Sequence, residues 1–261
     1  MTKKNIFIIF IIICTIILFF LNLPPNKVED PLLKKIKQEG ELIIGTDATY
    51  PPMEAIDEDG SFYGLDIDIM KEVAKDLGVE PIFQNVPWEI IFDVVRNGDV
   101  DVMISSVTIT QERAQTMSFS DPYFNAGQVL IIRSRDSGKI QDINDIAEHK
   151  VGIQEGTTSE QEAIKYVEDA SLIKNYVDYY LAKDDLMEGE IDIIIADYPG
   201  AFGLVKGETD IKIVGDPFTQ EFYGIVVQKD QKELLSQINK TIRRLKQDGD
   251  LKELEQKWLN Q

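Results

Sequence analysis

Cysteine and histidine are nearly absent: the chain holds one of each, Cys14 and His149. A single cysteine cannot form an intrachain disulfide, and a Cys/His zinc site is excluded. Any histidine-based triad would have to use His149, whose setting AEHKVG reads as an exposed turn entering a strand. Basic residues are also in the minority. The 27 Lys and Arg face 46 Asp and Glu, for a formal net charge of −19. An acidic surface of this kind argues against nucleic acid as a partner and against broad contact with anionic lipid. No motif calls for a metal or a cofactor.

Long apolar runs are missing everywhere except at the N-terminus. There Lys3 and Lys4 precede an almost unbroken run from Ile6 to Leu21, with Leu23 just beyond Asn22. As a helix rising ~1.5 Å per residue, Ile6 to Leu23 would reach roughly 27 Å, close to the hydrocarbon thickness of a bilayer. The lysines would stay in the cytoplasm and the rest of the chain outside. Asn22-Leu23-Pro24-Pro25 is a poor cleavage site. Cys14 lies mid-run behind Ile13, where lipid attachment would need a small residue. Residues 1–23 are therefore read as a signal anchor in preference to a cleaved signal peptide. This N-terminal transmembrane helix would hold an extracytoplasmic domain at the cell membrane. Residues 24–35, polar and proline-bearing, read as a tether.

From Glu41 onward strand-like and helical patterns alternate, which implies an α/β fold built on mostly parallel sheets. DIDIMKEVAKDLG carries Met70, Val73, Ala74 and Leu77 at helical spacing, with Gly78 just past the end. WEIIFDVVRNG repeats the scheme, presenting Ile90, Ile91, Val94 and Val95 before Gly98. VLIIRS, KVGI, LIKNY and IDIIIA read as strands, residues 158–168 and 179–188 as helices. FYGIVVQK reads as one late strand. A helix with Leu234, Leu235, Ile238, Ile242 and Leu245 on one stripe follows, then Gly249 and a last helix bearing Trp258. One echo stands out. NGDVDVMI at 97–104 and GEIDIII at 189–195 both place a glycine and a short strand after a helix. The first runs into Ser105-Ser106-Val107-Thr108, the second into Ala196-Asp197. Ligands of open parallel sheets sit beyond strand carboxyl ends, so two similar lobes would point polar groups into one cleft.

Arg113 lies five residues after Thr108, with Thr110 placed to cap the turn between them. An arginine there can point back at the strand end and bind a carboxylate through paired N–H donors, with the Thr108 hydroxyl assisting; pairing with Glu112 on the surface is the plainer reading. GTTSEQEA offers a helix N-terminus at Thr158 for the same anion, or simply a capping box. Asp197 can hold an ammonium or cap the helix that follows. Tyr50 and Trp88, each just after a strand, can enclose a side chain or pack in a core. An anion clamp, a cation site and an aromatic pair are together what an α-amino acid requires.

The stretches GTDATYPPMEAIDEDGSFYGLDIDI, DVMISSVTITQERAQTMSFSDPYF and VGIQEGTTSE, with the strand ending at Asp197, resemble the polar amino-acid solute-binding proteins of ABC importers over residues 36–261. The resemblance implies a two-lobed periplasmic-binding-protein fold, with lobe 1 from 36–126 and 219–261 and lobe 2 from 127–218, closing on ligand like a trap. It implies that Arg113, Thr108 and the backbone at Thr158 take the α-carboxylate. Asp197 and Ser106, next to Ser105, would take the α-ammonium, and Tyr50 and Trp88 would enclose the side chain. Asp47 would face its distal end, and Gln154 would occupy a position that varies with specificity. Arginine or lysine is favoured as ligand, though glutamine-type members also carry an acid at the position of Asp47. The expected partner is an importer permease, the expected state a monomer, and no enzymatic activity is expected. The alternatives are a dehydratase of prephenate or arogenate using Glu155 as acid, and a ligand-sensing ectodomain.

Overall fold

The computed structural model describes residues 30–259. The expected N-terminal span, 1–23, lies outside them. Among the described residues no helix is long and apolar enough to cross a membrane.

The described chain opens with α1 (Pro31–Glu39). Asp30 accepts the Leu32 N–H at its start, and Pro31 takes the first helical position, where no N–H is needed. Leu33 and Ile36 are buried. The segment read as a tether, 24–35, thus becomes helix at Pro31, where one of its prolines starts a helix with an apolar face. Next come β1 (Glu41–Thr46) and a small meander of β2 (Thr49–Tyr50), β3 (Glu54–Ile56) and β4 (Phe62–Tyr63). They lead to α2 (Leu65–Leu77), β5 (Glu80–Asn85), α3 (Trp88–Asn97) and β6 (Val102–Met103). Gly78 and Gly98 end the two helices at φ 74° and 79°, a left-handed geometry that costs glycine nothing. On α3 the buried stripe is Trp88, Ile91 and Val95, while Ile90 is exposed. Trp88 fills the inward place that a count begun at Ile90 gives to Ile90.

The short α4 (Arg113–Thr116), β7 (Met117–Phe119) and β8 (Phe124–Ala126) lead into the second lobe. That lobe contains β9 (Gln128–Arg133), β10 (Val151–Gln154), α5 (Thr158–Tyr166), β11 (Ile173–Tyr176), α6 (Tyr179–Glu188), β12 (Ile193–Asp197), α7 (Tyr198–Val205) and β13 (Ile211–Val214). The chain returns through β14 (Glu221–Tyr223) to β15 (Val226–Gln228), α8 (Lys232–Asp248) and α9 (Asp250–Leu259). The expected strand FYGIVVQK is therefore two strands in two sheets. β14 pairs with β8 between the lobes, and β15 joins the first lobe's sheet. The break falls at Gly224, where a Cβ would lie 2.9 Å from the Ile109 side chain.

The sheets run β5-β1-β6-β15-β7 and β11-β10-β12-β9-β13. In each, the first three strands are parallel and the remaining pairings antiparallel. The sheets are thus mixed, where mostly parallel ones were expected. Parallel neighbours need a crossover, here a helix. β9 and β15 instead follow directly from the connecting strands β8 and β14, so they enter their sheets in the opposite sense. The echoed strands β6 and β12 take the same third place in the two sheets, each after a β-α-β-α run. The molecule is a two-lobed α/β fold of the periplasmic-binding-protein kind, with an apolar core on either face of each sheet.

Candidate functional site

The carboxyl ends of β1, β6, β10 and β12 meet between the lobes around a narrow cavity of about 40 Å³. Asp47, Tyr50, Trp88, Ser105, Ser106, Thr108, Arg113, Gln154, Thr158 and Asp197 all line it. The structure thus brings together every residue that the sequence assigned to ligand binding. Its geometry assigns several of them different neighbours from those expected.

Arg113 lies at the start of α4, and its N–H donates to the Thr110 hydroxyl at 3.1 Å. Its guanidinium sits over two rings, 5.5 Å from the Trp88 centroid and 5.1 Å from that of Phe92. Nη1 donates to the Thr108 carbonyl at 2.9 Å and Nη2 to the Gly156 carbonyl of the other lobe at 3.1 Å. No ion pair to Glu112 forms among the described residues. Two of five N–H donors are engaged and three remain. Trp88 therefore lines the cavity while also supporting Arg113. Tyr50 packs against Tyr179, with centroids 5.6 Å apart, and its hydroxyl donates to the Asp197 carbonyl at 3.3 Å.

Asp197 occupies the N-cap position of α7 but makes no cap bond. Its Oδ2 accepts the Tyr223 hydroxyl at 2.5 Å, and its Oδ1 is buried without a partner. Burial and the nearby Glu221 charge push its pKa up to about 7, against the pull of the Tyr223 hydroxyl and Arg113. Asp47, just past β1, is buried and spans two elements. Oδ1 accepts the Thr49 hydroxyl at 2.9 Å and Oδ2 the Trp88 N–H at the start of α3 at 3.1 Å, while burial raises its pKa. Gln154 ends β10 and donates to the Val177 carbonyl at 2.8 Å.

At α5 the Gly156 N–H donates to Glu160 at 2.9 Å, closing part of the expected box four residues apart. Thr157, the N-cap, turns its hydroxyl to the Gln154 carbonyl and leaves the first-turn N–H groups uncapped. Thr158 bonds elsewhere: its hydroxyl donates to Glu221 at 2.7 Å, as Thr108 does at 2.6 Å and the Gln128 amide at 2.7 Å. Glu221, at the start of β14, thus gathers donors from both lobes.

Sequence reasoning missed Glu221, and within the cavity wall Glu54 and Tyr179. The two acids had a signal: Glu54 is an acid inside the apolar run Pro-Pro-Met-Glu-Ala-Ile, and Glu221 precedes Phe-Tyr-Gly-Ile-Val-Val. Glu54 is 1% exposed and accepts the hydroxyls of Ser105 at 3.1 Å and Ser106 at 3.2 Å. Glu155, the acid of the dehydratase alternative, is exposed and does not line the cavity. His149 lies 3.7 Å from Asp192, also off the cavity.

The lobes touch directly. A Cβ on Gly200 would fall 1.9 Å from the Tyr50 ring, and one on Gly203 would fall 2.0 Å from the Pro51 carbonyl oxygen. Helix α7 of one lobe can therefore meet the Tyr50–Pro52 turn of the other only because both positions lack side chains.

Comparison with known proteins agrees with this architecture. Residues 42–261 match the model of bacterial extracellular solute-binding proteins, family 3. The L-cystine-binding protein TcyJ of Escherichia coli is 31% identical over 231 residues, 88% of this chain and 86% of that protein. A mutant of the arginine-binding protein ArgBP from T. maritima superposes with a TM-score of 0.82 at 33% identity, covering 88% of this chain and 100% of its own. An ancestral arginine-binding protein bound to arginine gives 0.79 at 39% identity, over 84% and 98%. Further relatives are named for glutamine, histidine and arginine. All of these are named as binding proteins, not enzymes, and this chain is likewise a non-enzymatic binding protein. With its family model matched over nearly the whole described chain, the protein belongs to the bacterial extracellular solute-binding proteins, family 3.

Proposed function

We propose that the protein captures a basic amino acid, arginine or lysine, outside the cytoplasm and delivers it to an ABC-type importer. One observation carries the ligand class: the cavity wall holds Asp47, Glu54 and Asp197 against one base, Arg113. Neither Asp47 nor Glu54 makes an ion pair among the described residues. Buried carboxyl groups without a cation are unfavourable, and an incoming ligand can supply that cation. An α-carboxylate on the free donors of Arg113 and the uncapped start of α5, an α-ammonium on Asp197 Oδ1 and a cationic tail toward Glu54 and Asp47 would set an opposite charge beside the base and beside each acid of the wall. A neutral tail, as in glutamine, leaves the acids of lobe 1 unmatched.

On this reading lobe 1 comprises 36–126 with 219–261, extended by α1, and lobe 2 comprises 127–218. Ligand touches both and favours the closed state, the form a permease would engage. The protein acts as a monomer held by its N-terminal segment. The test is calorimetry on the full chain, kept in mild detergent, against the twenty amino acids. Arginine or lysine is expected to bind tightest; glutamate, or no amino acid at all, at the top would refute the reading.

A further inference from the structure

A second buried carboxyl stands behind Glu54. Asp66, in the first turn of α2, is fully buried and does not line the cavity. Ser106 joins the two acids, its N–H donating to Asp66 Oδ2 at 2.8 Å and its hydroxyl to Glu54 Oε2 at 3.2 Å. The Tyr123 hydroxyl adds a second donor to Asp66 Oδ2 at 2.8 Å. Asp66 Oδ1 has no hydroxyl or N–H donor. Ser106 thus holds Glu54 beside Asp66, close enough that each carboxyl group acts on the charge of the other. Two adjacent carboxylates out of water would repel, so a proton on one of the two carboxyl groups is favoured. The titratable groups facing the pair are Asp47, Tyr50 and Tyr123, and none is a base. Among the described residues the positive influence on the pair is the start of α2, whose dipole lies on the Asp66 side.

We propose that Glu54 and Asp66 form a proton-exchanging specificity site, which keeps one shared proton against a neutral ligand tail and releases it to solvent when a guanidinium or ammonium tail arrives. The inference deepens the proposed reading of the cavity as an amino-acid site and rests on it. The charges balance: one positive charge enters beside Glu54 and one proton leaves, so the site carries the same single negative charge before and after. Burial raises both groups, Asp66 up to about 7 and Glu54 well above its usual range, so the pair holds a proton more strongly than free carboxyl groups do. The ligand lowers the pair's affinity for its proton, so cation binding strengthens as pH rises.

Asp197 complicates a simple pH series, because an α-ammonium would ionise it for every amino acid. Arginine and citrulline separate the two effects. They share length and α-groups, and citrulline carries a neutral ureido group in place of the guanidinium. Calorimetry on the full chain in two buffers of different ionisation enthalpy, from pH 6 to 8, reads proton release directly. Arginine is expected to release about one proton more than citrulline, and the arginine-to-citrulline affinity ratio to rise up to ~tenfold per pH unit. Glu54→Gln should abolish the excess and move preference toward citrulline. Asp66→Asn keeps an oxygen for Ser106 and Tyr123 and should leave arginine binding tight at low pH. Equal proton release by the two ligands in the unaltered protein would overturn the inference while leaving the amino-acid site standing. Failure of every amino acid to bind would remove both.

Discussion

The two lobes share a β-α-β-α-β order and the same third strand, yet they furnish the cavity with different chemistry. Lobe 1 brings the buried acids Asp47 and Glu54, with Asp66 behind, and its one base, Arg113. Lobe 2 brings the neutral wall of Gln154, Thr157, Thr158, Ser159 and Tyr179, with Asp197 as its sole acid there. A common scaffold can thus divide recognition. On the proposed reading Arg113 and Asp197, from opposite lobes, hold the α-groups that every amino acid has. Lobe 1 alone reads the charge of the tail.

Removing the opposed charges should break this comparison most severely. Arg113→Ala and Asp197→Ala each leave a buried charge without its partner, a loss of about 3–5 kcal/mol, or two to four decades in affinity. Binding within a few-fold of the unaltered protein in either case would show that the lobes do not share the ligand as described. Next comes the contact between lobes. Gly200→Ala drives a Cβ into the Tyr50 ring, an overpacking cost of about 1–3 kcal/mol that falls on closure. Affinity should drop roughly five- to hundredfold while the ligand-free melting temperature stays put; a matching fall in that temperature would place the strain within a lobe instead.

The acids also predict a pH effect on stability. Asp66 and Asp197 are raised to about 7 in the fold, above ordinary unfolded values near 4. A raised carboxyl contributes its stability in full below the unfolded value and loses it as pH climbs through the folded one. The ligand-free protein should therefore melt lower at pH 8 than at pH 6, and Asp66→Asn should narrow the gap. A gap unchanged by that substitution would remove Asp66 as a source and leave Asp197 and the net charge of −19. The smallest effect is expected at His149, half-buried beside Asp192 and off the cavity: His149→Ala should leave affinity unaltered by titration.

Much of this was readable before any coordinates. The glycines that stop α2 and α3, the echo between β6 and β12, and Thr108, Arg113 and Asp197 near strand ends follow from short-range pattern, whereas Asp47 and Gln154 came only with the family resemblance; the strand ends converge because the sheets do. What was unreadable depends on pairing across long separations. Nothing local in FYGIVVQK says that Tyr223 pairs with Phe124 while Val226 pairs with Met103. Glu54 and Glu221 sit in apolar contexts that read as strand, and their importance comes from hydroxyls 52 and 113 residues away. Trp88 had the right place with an unforeseen neighbour, because cation–π contact with Arg113 depends on how α3 and α4 meet.

The division of labour between the lobes is tested most directly by pairing each substitution with a ligand that lacks the matching group. Agmatine is arginine without its carboxylate, and 5-guanidinopentanoate is arginine without its amine. If Arg113 holds the carboxylate and Asp197 the ammonium, Arg113→Ala should weaken arginine by decades and agmatine hardly at all. Asp197→Ala should likewise spare 5-guanidinopentanoate. Equal losses for arginine and for the truncated ligand, in either variant, would contradict the assignment of the two charges to the two ends of the ligand.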